Sequence, residues 1–268
     1  MAAACVLGLV VVGLLALASD AGHARDSVIM HGFSALYRRR LELAIEITGR
    51  LSDPLPYAFL GSLCIGMALA RRRTRRAVAI GIVLVATGAI AQGLKHLLAQ
   101  PRYADWLGWR QLDETNWPSG HTTAAMTLAL CAVVAAPPAW RAATALIGAA
   151  LAVAVAYATL ALTWHYPSDV LAGFLLAALG VSAALAVLAP LEADDPEPPV
   201  SLPVASLLIA GAAGTIVAAA VVGAACGSLG LGGSDRVTIV AGAAVIAATG
   251  VTLVIATTVA ASTGRGET

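Results

Sequence analysis

Eight apolar runs, at about 2–19, 55–70, 77–98, 120–137, 141–162, 168–190, 203–226 and 237–260, take up most of the chain. They approach or exceed the roughly 20 residues that a helix needs to cross the hydrocarbon of a bilayer. Inside that hydrocarbon every backbone N–H and C=O must be satisfied within the chain, and helices do this segment by segment. The expected fold class is therefore all-α, a polytopic membrane helical bundle. Charge usage agrees, because only 12% of the 268 residues are charged against about 25% in soluble domains. A net charge of +1 gives no sign of a nucleic-acid partner. Cys5, Cys64, Cys131 and Cys226 lie singly in apolar stretches, as small hydrophobes do. The first run has two readings, a signal peptide with Ala16-Leu17-Ala18 as its cleavage site or a retained helix. The missing basic start favours the helix.

The segments between the runs set the topology. "RRRTRR" at 71–76 places five arginines in a short gap, and short basic loops stay on the cytoplasmic side. The 99–119, 163–167 and 227–236 loops then face the extracytoplasmic side. Arg38, Arg39 and Arg40 fall on that outer side too, in a longer segment that also carries Glu42 and Glu46. In "VIMHGFSALYRRRLELAIEI", Ile29, Phe33, Leu36, Leu43 and Ile47 recur at roughly helical spacing. This fits either an amphipathic helix on the bilayer surface or a connector packed on the other helices. Residues 191–202 read as an acidic cytoplasmic linker, dividing a unit at 1–190 from a helix pair and tail at 203–268.

Ionisable groups near membrane helices are costly and call for an account. Three clusters stand out, and the topology puts all three at one face. Lys95 and Arg102 lie in "LKHLLAQPRYADW". Lys95 either snorkels to the interface or forms a phosphate clamp with Arg102, which is otherwise a solvated loop charge. Pro118-Ser119-Gly120-His121 opens the fourth run. Proline and serine suit a helix start, its free N–H groups favour an anion, and Gly120 allows close approach. His121 is either an interfacial histidine or a working one. In "WHYPSDVLAG", His165 and Asp169 are four residues apart at the start of the sixth run, on one helix face. The carboxylate would orient the imidazole, as in hydrolytic triads. The alternative is a purely structural pair. Trp106, Trp109, Trp117 and Trp164 flank these motifs, as anchors at headgroup depth or as substrate contacts.

Taken together, these residues resemble the type 2 phosphatidic acid phosphatase superfamily. Its pattern is Lys, six residues, Arg-Pro; then Pro-Ser-Gly-His; then Ser-Arg, five residues, His, three residues, Asp. Lys95 and Arg102 match the first part, with Tyr103 in place of its proline. Residues 118–121 match the second, and His165 and Asp169 match the third. The resemblance covers about residues 1–190, a six-helix phosphatase core, with the two C-terminal helices additional to it. One position departs: Ala158 and Thr159 stand where the family has Ser-Arg, and Thr159 offers one neutral hydrogen bond instead of a guanidinium fork. Arg110 is a candidate substitute.

The resemblance implies chemistry and roles. His165 would attack phosphorus and form a phosphohistidine. Asp169 would orient it, and His121 would protonate the leaving oxygen and then activate water. Lys95, Arg102, Pro118, Ser119, Gly120 and Thr159 would hold the phosphate. No cofactor and no metal is called for. The expected substrate is a polyprenyl phosphate or diphosphate, met at the extracytoplasmic face of the cell membrane. Alternatives are phosphatidic acid or phosphatidylglycerophosphate as substrate, transfer to another lipid or sugar, or non-catalytic lipid-phosphate binding or transport.

Overall fold

The computed structural model describes residues 1–193 and 202–263. Among these, ten α-helices and no strand are formed. Helices α1 (Ala2–Leu17) and α2 (Asp20–Ser34) meet at 89°. Ser19 turns the corner by accepting the Gly22 N–H at 3.1 Å. A Cβ at Gly22 would lie 2.1 Å from the Leu15 carbonyl oxygen, so the corner requires glycine. α3 (Glu42–Arg50) and α4 (Pro54–Ala70) meet at 58°. α5 (Thr74–Leu97), α6 (Gly120–Ala135), α7 (Arg141–Ala161), α8 (Pro167–Leu191), α9 (Val204–Cys226) and α10 (Gly233–Thr263) follow.

Among the described residues, five helices are long and apolar enough to cross a membrane, and up to seven when each bent pair counts as one span. The chain is a multi-pass membrane protein. α6 is shorter, at 16 residues, and apolar all round, which is the pattern of a helix enclosed by others. It stands in the middle of the bundle, packed on α4, α5, α7, α8 and α10. Ala129 and Gly148 bring α6 and α7 close, since a Cβ on Gly148 would meet that of Ala129 at 3.1 Å. The main core joins Met126, Leu130, Phe174 and Val181 to Ile239, Ile246 and Val254 of α10. The C-terminal pair therefore divides its work. α10 is part of the packed interior, with Tyr157 donating to the Ala243 carbonyl at 2.7 Å, whereas α9 leaves Ile209, Ile216 and Val217 exposed.

Of the two readings of 28–47, the single amphipathic helix is not formed: the stretch is the end of α2, a break, and α3. The two pieces have different surroundings. Phe33 is fully buried against Tyr157, whereas Leu43 and Ile47 are exposed. One straight helix cannot serve both. All four cysteines are free and buried.

The arginine-rich end of the bundle satisfies helix C-termini. Arg71 donates to the carbonyls of Ala135 at 2.9 Å and Ala136 at 3.1 Å, at the end of α6, and Arg141 donates to Ala261 near the end of α10 at 3.0 Å. Arg76 forks onto Glu192 through Nε and Nη2. Cations suit this end of a helix, where carbonyls lack partners. Of the acidic stretch expected at 191–202, residues 194–201 lie outside the described residues.

Candidate active site

The opposite end of the bundle gathers the C-terminus of α5, the N-termini of α4, α6 and α8, and α2. Ser119 caps α6 by accepting the Thr122 N–H. Its own N–H donates to the Asp169 carbonyl at 2.9 Å, and Thr122 Oγ1 donates to Val170 at 3.4 Å. The two sequence motifs are thus stitched together by backbone. A Cβ on Gly173 would meet Thr122 Oγ1 at 2.3 Å, so α8 lies directly on the first turn of α6.

This contact sets the two histidines side by side, with ring centroids 6.0 Å apart and planes at 60°. His165 is 4% exposed. Its Nδ1 faces Asp169 Oδ2 at 3.5 Å, too far for a well-formed bond; a carboxylate on that side favours the tautomer with the proton on Nδ1 and the lone pair on Nε2. Burial holds the His165 pKa below the ordinary imidazole value; Asp169 opposes this, and Lys95 and Arg102 add to it. The ring is therefore neutral at neutral pH. His121 has its own carboxylate, with Nε2 at 3.3 Å from Asp53 Oδ1, and Trp164 lies 5.2 Å from its ring.

Asp169 is fully buried and highly connected. It accepts from Arg102 Nη2 at 2.5 Å and from the Tyr166 N–H at 2.8 Å. Arg102 is 8% exposed, and its guanidinium lies 4.6 Å from the centre of the Tyr166 ring. The Tyr166 phenol, pushed up to about 12 mainly by burial, stays protonated and donates to the Arg102 carbonyl at 3.1 Å. Arg102 is thus committed to carboxylate pairing, unlike the free partner of Lys95 expected from the sequence. Two of its five N–H groups are engaged with Asp169 and Ser168, which leaves others to offer.

Lys95 differs. It is half-buried, and among the described residues it makes no hydrogen bond and no ion pair. Its Nζ lies 3.8 Å from where a Gly120 Cβ would be, beside the N-terminus of α6. An ammonium and a helix N-terminus repel each other, so their meeting makes a place for an anion. Lys95, Gln92, Asp53, Gly120 and His121 line a cavity of about 320 Å³ that continues past Tyr57 and Gly88. His165 and Arg102 are not among its lining residues. His165 adjoins the cavity through the His121 ring, 6.0 Å away between centroids.

Pro118 and Ser119 are buried at the cap. Thr159 is buried too, but its hydroxyl donates to the Ala156 carbonyl at 2.8 Å. The phosphate contact expected of it is not offered, because a threonine inside a helix turns its hydroxyl onto the preceding turn. Arg110 is exposed and stacks over Trp109 at 4.9 Å; among the described residues its side chain makes no hydrogen bond and no ion pair. Asp53 and Asp26 are the site carboxylates that sequence reasoning missed. Asp53 carries a weak signal, an Asp-Pro at a helix start, and Asp26 carries none.

Residues 76–191, from the basic loop to the end of α8, match the family model of the PAP2 superfamily. No curated protein and no solved structure matches the chain.

Proposed function

Since residues 76–191 match the PAP2 superfamily, whose members are phosphatases, we propose that the chain hydrolyses a polyprenyl phosphate or diphosphate through a phosphohistidine intermediate. The observation that carries the reading is Lys95: a half-buried ammonium without a partner, set over Gly120 beside His121. An anion there acquires a cation, free helix N–H groups and a proton donor at once.

The chemistry follows from the placement. His165 Nε2 attacks phosphorus, and the P–O bond to the lipid breaks as the new P–N bond forms. Asp169 stabilises the positive charge that grows on the His165 ring. His121, protonated and held by Asp53, gives its proton to the departing oxygen. As a neutral base it then takes a proton from the water that releases phosphate from His165. Lys95, the Gly120 backbone and the unused edge of Arg102 neutralise the equatorial oxygens, where charge accumulates in phosphoryl transfer.

The cavity supports an amphiphilic substrate. Its polar end is Lys95, Gln92, Asp53 and His121, and its other end is Tyr57, Gly88 and Ala91 between α4 and α5. A headgroup fits the first and the start of a hydrocarbon chain the second. The arginine-rich loop at the other end supports an extracytoplasmic position for this one, the side on which a polyprenyl carrier would present its phosphate after use. The test is phosphate release from purified polyprenyl phosphate, polyprenyl diphosphate, phosphatidic acid and phosphatidylglycerophosphate by wild type and His165→Ala. Release from the polyprenyl lipids by wild type alone is expected. Preference for a glycerolipid reassigns the substrate, and release undiminished in His165→Ala removes the mechanism.

A further inference from the structure

Asp26 lies outside the segment that matches the family, yet its carboxylate reaches the centre of the site. α2 is turned at 89° to α1 and packs on α7, α8, α9 and α10. Asp26 sits midway along it, 7% exposed. Its Oδ1 accepts the Ser168 N–H at 3.1 Å, and its Oδ2 accepts a short bond from the Ser168 hydroxyl. The same hydroxyl accepts from Arg102 Nη1 at 3.3 Å, and Asp26 Oδ2 lies 3.8 Å from that nitrogen. A buried carboxylate is retained only when its charge is paired and its oxygens are satisfied. Both conditions are met here by Ser168 and Arg102.

We infer that Asp26 is a positioning residue, which fixes the Arg102 guanidinium through Ser168 and so sets the face that this arginine turns to the substrate phosphate. The inference rests on the phosphatase reading for the identity of that anion. Three anchors define the guanidinium plane: Asp169 at 2.5 Å, Ser168 at 3.3 Å and the Tyr166 ring at 4.6 Å. Without Asp26 the Ser168 hydroxyl is free to rotate, and one anchor loses its direction. Precision at this point matters because Lys95 is a point charge, whereas a guanidinium offers a planar fork whose use depends on its orientation. Thr159 stands where the family's second arginine would be and donates to Ala156, and Arg110 is stacked on Trp109. Asp26 also occupies the anion position at the N-terminus of α8 by taking the Ser168 N–H. Substrate phosphate is therefore directed to α6 and Lys95, not to α8.

The test uses the full chain in detergent with three variants. Asp26→Asn keeps an amide oxygen for the Ser168 N–H, and Ser168→Ala keeps that N–H while removing the relay. Arg102→Lys removes the fork that both are proposed to orient. Two readouts are taken: kcat/KM on a short-chain lipid phosphate and binding of orthovanadate. Asp26→Asn and Ser168→Ala are each expected to lower kcat/KM by roughly tenfold to a hundredfold, the scale of a misplaced contact, and to weaken vanadate binding. In the Arg102→Lys background, adding Asp26→Asn is expected to change vanadate binding less than about twofold, since residues acting through one group are not additive. Wild-type kinetics in Ser168→Ala, or an undiminished effect of Asp26→Asn in the Arg102→Lys background, overturns the inference. If the wild type binds vanadate but releases phosphate from no lipid, the phosphatase reading fails while the binding cycle still decides the role of Asp26.

Discussion

Gly173→Ala tests whether the contact between α8 and α6 is what holds the catalytic groups together. The added Cβ would lie 2.9 Å from both the Ser119 carbonyl oxygen and the Thr123 nitrogen, and 2.3 Å from Thr122 Oγ1. Two of these three are backbone and cannot rotate away. Ordinary carbon contacts begin at about 3.5 Å, so α6 and α8 must part by about 0.6 Å. The Ser119 N–H to Asp169 carbonyl bond, now 2.9 Å, would stretch to about 3.5 Å and be lost. Overpacking of this kind costs about 1–3 kcal/mol, and the lost bond adds about 0.5–1.5 kcal/mol. A 1 Å misplacement costs about a hundredfold in rate, so a shift of this size lowers kcat/KM by about tenfold. The assay pairs thermal unfolding in detergent with phosphate release from a short-chain lipid phosphate. Gly93→Ala is the control, because a Cβ there meets nothing within 4 Å; it should match wild type or be slightly more stable. A Gly173→Ala enzyme with wild-type melting and kinetics would refute the argument.

Three further outcomes follow from the same geometry. His165 must be neutral to attack, and its pKa is lowered mainly by burial. As pH rises through that depressed pKa the neutral fraction grows, so the acid limb of kcat/KM should lie below about 6.5, the ordinary imidazole value; a limb above it contradicts this assignment. Asp53→Asn removes the carboxylate beside His121 and should slow lipid phosphate turnover at least tenfold, as loss of a general acid does. p-Nitrophenyl phosphate, whose leaving group needs little protonation, should be much less affected, and equal losses on both would separate Asp53 from that role. Gly88→Trp narrows the apolar end of the cavity, where a Cβ meets nothing within 4 Å. It should raise KM for a long-chain lipid phosphate and leave p-nitrophenyl phosphate hydrolysis alone; equal effects on both would place the chain elsewhere.

The apolar runs were legible because a membrane imposes one rule on every segment, and helices α4 to α10 fall within a few residues of the expected spans. The Ser119 cap and the His165–Asp169 spacing were legible as local chemistry. What lay beyond the sequence was whatever depends on helices meeting. The corner at Ser19 and Gly22 lays α2 across the bundle, and without it nothing distinguishes Asp26 from a loop carboxylate. Asp53 meets His121 only because α4 packs on α6. Arg102 read as a free cation because its partners, Asp169 and Ser168, are more than sixty residues away. Thr159 failed in the other direction: its place in the motif pointed at phosphate, while its helix supplied a nearer acceptor.

The most direct test of the account is a covalent one. With a labelled aryl phosphate and rapid acid-free quenching, wild type should carry a transient phosphoryl group on His165. His121→Ala should accumulate it, because the water that releases phosphate is no longer activated, and His165→Ala should carry none. Label retained in His165→Ala, or found on another residue, would contradict the claim that the paired imidazoles divide attack and release between them.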